Sequence, residues 1–287
     1  MIIFKKEVMR KKNNLYIHIG LRKTATTWLQ NLIFNRNRNI NYLGKTEKNY
    51  PDWLIKWHYL DDYAFRKEVI TIKKSVESLL TSNKVNLISS EAFTNTAVLY
   101  NQALRIHELF PNAKIIMVLR DPIECLKSHY KDDVKHGICF LNLKEYLDWG
   151  RTPFVLIKRP PIYLPDFFYD ESIEHYKELF GSYNVCVLKY EDLVQNATRF
   201  FAQLSEFLGV AFSNIPFNTK LNVSIDESKI KKFKINAAKK YLKKYFPNLN
   251  KKISRSYIER DMSTEIIDKK LEEKLKKYFS GKCYGYY

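Results

Sequence analysis

Two segments of the chain place basic and hydroxyl side chains directly after an apolar run. In the first, residues 14–28, the apolar run ends at Gly20 and leads through Lys23 into a threonine-rich turn. A strand, a turn and a helix in succession point backbone N–H groups and the positive end of the helix dipole at one spot, where an anion is stabilised. The turn adds hydroxyl donors at Thr24, Thr26 and Thr27. The segment therefore predicts a phosphate-binding site.

The spacing of this turn is not that of a nucleoside-triphosphatase loop, which reads Gly-x4-Gly-Lys-Ser/Thr. Lys23 follows Gly20 by three residues, and the residue before it is Arg22. A kinase that binds ATP at residues 20–27 is therefore an alternative with a poorer match. A generic phosphate-binding turn is the other alternative for this segment taken alone.

The second segment, residues 111–130, repeats the pattern. An apolar run ends at Leu119 and is followed by Arg120, Asp121 and Pro122, and Pro122 suits the first position of a helix. Ser128 comes eight residues after Arg120, two turns along and on about the same face as the helix start. A long arginine and a hydroxyl can then contact one anion. The alternative is a local ion pair within the dipeptide.

Together the two segments resemble the donor-binding elements of sulfotransferases, enzymes that use 3′-phosphoadenosine 5′-phosphosulfate (PAPS). The family's 5′-phosphosulfate loop reads Lys-Ser/Thr-Gly-Thr-Thr, often followed by Trp, and this chain has Ala25 in the place of the glycine. Its 3′-phosphate element is Arg-Asp-Pro with a serine eight residues after the arginine. The resemblance implies that Arg120 and Ser128 bind the 3′-phosphate. It implies a 5′-phosphosulfate loop made of Arg22, Lys23, Thr24, Ala25, Thr26 and Thr27.

A third match is Tyr-Glu-Asp-Leu at residues 190–193, where the family places its tyrosine near the adenine. The resemblance implies that Tyr190 contacts the base and that Trp28 stacks on its other side. Burial in the core is the alternative for both rings. The glycine-rich Arg-Lys-Gly loop near the C-terminus of the cytosolic enzymes has no obvious counterpart in this chain.

Sulfuryl transfer from PAPS develops negative charge on the departing 5′-phosphate, so Lys23 is predicted to stabilise the transition state. The acceptor hydroxyl or amine must also lose a proton to a general base. Our first choice is Glu91, which ends the apolar strand before the Arg120 strand. Its alternative roles are a helix cap or an ion pair with an arginine. Weaker candidates for the base are Glu47, His18 and His58. The chemistry requires no metal.

Apolar strands followed by helices predict an α/β fold: a three-layer sandwich with a central parallel sheet flanked by helices. By resemblance this is the P-loop-NTPase-like sulfotransferase fold, with ligands beyond the carboxyl ends of the strands. The predicted strands are residues 15–19, 85–89, 115–119 and 185–188. The predicted helices are residues 26–34, 97–110 and 122–136 and one that ends at residue 208. Residues 35–66 and 151–170 break the pattern and are predicted to be irregular, either as acceptor-binding loops or as packed surface excursions.

Length and composition favour a single domain, residues 1–287, with 45% hydrophobic residues. We divide it into a PAPS-binding core at 14–210 and a basic helical C-terminal extension at 211–287. The net charge of +18 favours anionic partners, among them nucleic acid, a membrane surface, an acidic glycan or a doubly phosphorylated cofactor. A basic nucleic-acid-binding protein is therefore a further alternative, although it does not explain two phosphate motifs at strand ends.

The four cysteines contain no Cys-x-x-Cys pair, which predicts reduced thiols. A metal cluster of Cys125, His129, His136 and Cys139 is disfavoured, because its spacing matches no common zinc pattern. No apolar run reaches the ~18 residues of a transmembrane helix, and the first four residues are too short for a signal-peptide core. We therefore expect a cytoplasmic, PAPS-dependent sulfotransferase whose acceptor is a glycan or saccharide precursor. We expect no nucleic-acid partner and at most peripheral membrane contact.

Overall fold

The computed structural model describes residues 14–46, 49–94, 99–139, 142–147, 164–219, 226–245 and 266–287. The chain forms two compact units, each built from segments that are distant in sequence. The first unit takes the described residues of Met1–Leu21, Thr26–Val118 and Glu174–Asn218. The second takes those of Arg22–Ala25, Leu119–Ile173 and Thr219–Tyr287. The predicted division into a core at 14–210 and an extension at 211–287 stays a prediction.

Within the described ranges, five strands form one parallel sheet with helices on its flanks. They are β1 (Leu15–His18), β2 (Ile40–Tyr42), β3 (Val85–Ser89), β4 (Lys114–Leu119) and β5 (Val185–Lys189), in the order β2-β3-β1-β4-β5. The central strand β1 pairs in parallel with both neighbours, and its Ile17 lies opposite Ile88 of β3 and Ile115 of β4. The predicted central parallel sheet is confirmed.

The sheet has apolar cover on both faces. Successive residues of a strand point to opposite faces, and residues 115–119 of β4 are all buried. A strand can bury every side chain only when helices or loops cover both sides of the sheet. The unbroken apolar runs of the sequence therefore reflect this double cover.

The helices of the described residues include the four predicted ones, close to their predicted limits, except that the helix predicted to end at residue 208 is two helices, at residues 190–195 and 197–208. In chain order they are α1 (Thr26–Trp28, continued by a π-helical turn at Leu29–Phe34), α2 (Asp52–Tyr59), α3 (Asp62–Glu77), α4 (Leu99–Leu109), α5 (Pro122–Lys135), α6 (Leu143–Leu147), α7 (Tyr169–Phe180), α8 (Tyr190–Gln195), α9 (Ala197–Leu208), α10 (Glu227–Tyr245) and α11 (Lys269–Phe279). Asp121 caps α5, since its carboxylate accepts the N–H of Glu124, and Pro122 opens the helix as predicted.

The prediction of an irregular segment at residues 35–66 is wrong, because the segment contains β2, α2 and the start of α3. The apolar faces of these helices are buried and combine aliphatic and aromatic side chains: Leu54 and Trp57 in α2, and Phe65, Ile72 and Val76 in α3. Asp61 caps α3 by accepting the N–H of Ala64 at 2.8 Å. The other predicted irregular segment lies outside the described residues at 151–163 and continues as a short 3-10 turn at Leu164–Phe167.

The second unit contains α10 and α11, which confirm a basic helical C-terminal segment. Both helices pack against α5. The four cysteines are free thiols, as predicted. Across the described ranges, no helix combines the length and the apolar character that a membrane crossing needs.

Candidate functional site

The turn after β1 has an unusual backbone. Lys23 and Ala25 adopt φ values of +62° and +59°, whereas Thr24 between them keeps a negative φ. Left-handed backbone costs a non-glycine residue about 1–2 kcal/mol. Alternation of this kind turns successive N–H groups toward one concave surface, which is a known anion-binding arrangement. Ala25 therefore adopts the left-handed backbone conformation that glycine would adopt at a lower energetic cost.

Gly20 is the first residue of the turn and belongs to the first unit. Its φ is +46°, and a Cβ there would lie 2.8 Å from Thr26 Cγ2 and 3.1 Å from the Ser90 carbonyl oxygen. The hydroxyl of Thr94 donates to the Gly20 carbonyl at 3.0 Å. Only glycine combines this backbone angle with this close approach, so residue 20 is fixed by its surroundings.

The three threonines of the turn have different environments. Thr24 and Thr26 are buried, and Thr27 is half-buried. The hydroxyl of Thr26 donates to the Leu21 carbonyl at 3.1 Å, so it closes the turn. Thr27 is therefore the most exposed of the three threonines.

Within the second unit, a hydrogen bond joins residues of the two predicted phosphate-binding segments. Arg120 Nη1 donates to the Lys23 carbonyl oxygen at 2.8 Å. The Arg120 carbonyl in turn accepts the hydroxyl of Tyr169 at 2.8 Å. The Tyr287 hydroxyl donates to Asp121 Oδ2 at 2.5 Å. The residues between β4 and α5 are thus anchored on both sides, and Arg120 bonds to the loop that carries Lys23.

Helix α5 lies against residues 22–25. Cys125 Sγ donates to the Arg22 carbonyl at 3.2 Å, and Arg22 Nη1 lies 2.8 Å from His129 Nε2. Lys23 Nζ forms an ion pair with Asp132 Oδ1 at 3.5 Å. The three helix residues are spaced by four and three positions, so they lie on one face of α5. Sequence reasoning missed His129 and Asp132 as members of this site, although their helical spacing from Cys125 was visible.

Burial keeps two groups of this helix face uncharged. It lowers the pKa of His129 to about 4 and raises the pKa of the Cys125 thiol to about 12. Both are therefore neutral at pH 7, and the cationic side chains around the turn are Arg22, Lys23 and Arg120. Cys125 and His129, which the sequence analysis considered as metal ligands, both bond to Arg22.

Ser128 is 7% exposed and lies on α5 next to His129. The predicted role of this serine at the 3′-phosphate stays a prediction, as does that of Tyr190. Tyr190 is the first residue of α8, directly after β5, and is half-buried.

Trp28 is buried in the first unit. Its ring stacks on Phe217 with centroids 6.4 Å apart and also contacts Phe201 at 6.4 Å. This packing favours the core role over the predicted base-stacking role, which stays untested.

The candidates for a general base differ in exposure. Glu91 is exposed and begins a 3-10 turn at the carboxyl end of β3. The hydroxyl of Ser90 accepts the Ala92 N–H at 3.2 Å, so Ser90 caps this turn.

The two described histidine candidates are buried, and Glu47 lies outside the described residues. His18 is fully buried, with Nδ1 2.7 Å from the Ser89 hydroxyl, and burial lowers its pKa to about 3. His58 packs edge-on against Phe93 at 4.4 Å, and burial likewise lowers its pKa to about 3. Among the described candidates, only Glu91 is an exposed residue.

Comparison with known proteins identifies the family to which the chain belongs. A sulfotransferase from Alicyclobacillus acidocaldarius is similar over 84% of this chain and 98% of its own, with 17% identity and a TM-score of 0.52, which shows the fold. The sulfotransferase domain of the Synechococcus PCC 7002 olefin synthase aligns over 87% of this chain and 95% of its own, with 13% identity and a TM-score of 0.41. No curated protein sequence matches. Residues 16–285 match the family model described as the sulfotransferase domain, and the chain therefore belongs to the sulfotransferase family.

Proposed function

We propose that this sulfotransferase takes its sulfuryl group from PAPS and transfers it to a hydroxyl or amine of a glycan or saccharide precursor. The observation that carries the choice of donor is the 2.8 Å hydrogen bond from Arg120 to the Lys23 carbonyl. It joins the loop expected to hold the 5′-phosphosulfate to the arginine expected to hold the 3′-phosphate. A donor with phosphate groups at the 5′ and 3′ positions of its ribose can contact both of these elements.

In this proposal the backbone N–H groups of residues 23–25 and the Thr27 hydroxyl bind the 5′-phosphosulfate. Arg120 and the Ser128 hydroxyl bind the 3′-phosphate. A guanidinium has five N–H donors, so Arg120 can donate to the Lys23 carbonyl and to a phosphate together. Tyr190 contacts the adenine.

The transfer itself needs a cation and a base. An oxygen or nitrogen of the acceptor attacks sulfur, and the bond between sulfur and the 5′-phosphate oxygen breaks with its electron pair on that oxygen. Lys23 stabilises the charge that forms there. Glu91 accepts the acceptor's proton, and the products are the sulfated acceptor and adenosine 3′,5′-bisphosphate (PAP).

The glycan acceptor is supported by charge. The net charge of +18 attracts anionic polymers, and Lys229, Lys231 and Lys232 of α10 are exposed. The cytoplasmic location is supported by the four free cysteines, since a reducing compartment keeps thiols unpaired.

The experiment that tests the donor is calorimetric titration with PAP, AMP and ATP, on wild type and on Arg120→Ala. We expect wild type to prefer PAP over AMP by about ten- to a hundredfold, because a charge-assisted hydrogen bond contributes about 1.5–3 kcal/mol. In Arg120→Ala that preference should largely disappear. The ratio of the PAP and AMP affinities measures the contribution of the 3′-phosphate alone. A lower affinity for AMP in the variant would show that the Lys23 loop has loosened.

Arg199→Ala is the matched control, because Arg199 is an exposed arginine on α9 whose side chain pairs only loosely with Asp192 at 3.8 Å. It should leave the PAP preference unchanged. If the wild-type protein does not bind PAP, the donor assignment is refuted. Tight binding of ATP instead of PAP would favour the kinase alternative.

A second prediction concerns the ion pair between Lys23 and Asp132. Bound PAP must compete with this carboxylate for Lys23, so Asp132→Asn should tighten PAP binding by about two- to fivefold at low salt, as expected for a partly exposed pair. The measurement is the same titration at two salt concentrations. Glu124→Gln is the control, since it removes one negative charge from α5 at its pair with Lys127. Weaker PAP binding in Asp132→Asn would mean that Asp132 supports Lys23 instead of competing for it.

A further inference from the structure

A chain of polar side chains extends from Arg22 into the interior of the second unit. Arg22 Nη1 lies 2.8 Å from His129 Nε2, and His129 Nδ1 lies 3.7 Å from Asp133 Oδ2. The hydroxyl of Tyr146 donates to that same carboxylate oxygen at 2.7 Å. His129, Asp133 and Tyr146 are 8%, 0% and 1% exposed. Only the Arg22 end of this chain lies near the surface.

The chemistry of the four groups fixes the direction of the two hydrogen bonds, from Arg22 to His129 and from Tyr146 to Asp133. A guanidinium can only donate, so His129 Nε2 must accept from Arg22. The ring is neutral at pH 7, because burial lowers its pKa to about 4, and its proton therefore resides on Nδ1. That N–H faces Asp133 Oδ2. The donation from Arg22 thus selects the tautomer, and Tyr146 orients the Asp133 carboxylate, which lies on the Nδ1 side of the ring at 3.7 Å, beyond hydrogen-bond distance.

The neutral ring separates Arg22 from the buried carboxylate. A carboxylate in the position of the ring would pair with the guanidinium and compete with any anionic ligand for it. An imidazole accepts one hydrogen bond without adding a negative charge. The hydrogen bond to His129 therefore fixes the direction of the Arg22 side chain without placing a negative charge beside it.

We propose that His129 is a positioning residue, which together with Asp133 and Tyr146 holds the Arg22 guanidinium in the direction that contacts the 5′-phosphosulfate of the donor. The inference rests on the proposed function, because it assumes that residues 22–27 bind this group. A long arginine side chain loses rotamer freedom when it binds a ligand, and a side chain held beforehand loses less.

The test compares two variants at His129, one that keeps a hydrogen-bond acceptor and one that removes it. His129→Leu removes the acceptor and should weaken PAP binding about tenfold, whereas His129→Gln keeps an acceptor oxygen and should stay within about threefold of wild type. In steady state His129→Leu should raise the KM for PAPS, with little change in kcat or in the KM for the acceptor. A general packing defect would not be rescued by glutamine.

A second pair of variants keeps the test decisive if His129→Leu does not fold. Tyr146→Phe removes the hydroxyl that bonds to Asp133 and should weaken PAP binding about threefold. Tyr176→Phe is its matched control, because Tyr176 is also fully buried and its hydroxyl has no hydrogen-bond partner among the described residues. It should leave PAP binding unchanged.

The dependence on Arg22 is tested in an Arg22→Gln background. Since His129 acts through Arg22, His129→Leu should cause no further loss of affinity there. The inference is overturned if wild type and His129→Leu bind PAP equally, or if the loss persists in the Arg22→Gln background. Wild-type protein that does not bind PAP would instead refute the proposed function itself, so the two failures are distinguishable.

Discussion

Replacement of Lys23 by methionine is expected to lower the turnover of PAPS about 10²- to 10³-fold, the loss seen when one preorganised donor to a developing charge is removed. The affinity for PAP should fall by less than about tenfold, because a partly exposed lysine contributes less to a ground-state complex. The larger effect on turnover follows because the leaving 5′-phosphate gains negative charge only as the bond to sulfur breaks.

Methionine suits this test because it can adopt the left-handed backbone of residue 23 at the same energetic cost as lysine. Lys23 has a φ of +62°, and both side chains carry the same Cβ, so the cost of the left-handed backbone is common to them. Methionine also has a similar unbranched stem. The substitution therefore removes the charge and the ion pair with Asp132 while the turn keeps its conformation.

The measurement is the release of PAP from PAPS with a panel of unsulfated glycans as acceptors. Lys127→Met is the matched control, because Lys127 is a lysine of α5 that pairs with Glu124, and it should leave turnover unchanged. Lys23→Arg should recover part of the loss, since it restores a positive charge with a different shape. Turnover of Lys23→Met within threefold of wild type would remove Lys23 from the mechanism.

The parts of this fold that depend on local pattern could be predicted from sequence. Continuous apolar runs marked β1, β3, β4 and β5. In β1, β3 and β4 nearly every residue is buried, because a parallel strand covered on both faces buries both sets of side chains, whereas β5 at the end of the sheet is mostly half-buried. Asp121 and Pro122 marked the start of α5, because a side-chain cap and a fixed φ act within one turn of chain. In contrast, β2 has three residues, which are too few to show a pattern of their own.

The candidate site was predictable where it follows a strand and was not where it depends on packing between helices. The turn with Lys23 and the Arg120 element each follow an apolar run, so their place in the sequence identified them. The partners of the turn on α5, His129 and Asp132, became evident only when the helix was seen to lie against residues 22–25. Trp28 packs against Phe201 and Phe217, contacts that its place in the motif did not indicate, and its predicted role at the adenine stays a prediction.

Glu91→Gln is expected to lower acceptor-dependent turnover about 10²- to 10⁴-fold while the affinity for PAP stays within about twofold of wild type. Glutamine has nearly the shape of glutamate, but its amide cannot take up the proton that the acceptor hydroxyl loses. The local structure should survive, because the turn at Glu91–Thr94 is capped by Ser90 and its Glu91 contact with Thr94 uses the backbone carbonyl. Glu77→Gln, at an exposed carboxylate of α3, is the control and should leave turnover unchanged.

The dependence on the acceptor separates a general base from a residue that only shapes the acceptor site. An acceptor hydroxyl of low pKa is already partly ionised and needs little help from a base, so Glu91→Gln should lose much less turnover with a phenol than with a sugar alcohol. A residue that acts through shape alone would lose activity with both or would alter only the KM. If Glu91→Gln transfers sulfate to a sugar alcohol at the wild-type rate, the base lies elsewhere. The described histidine candidates would then be poor substitutes, because His18 and His58 are both buried.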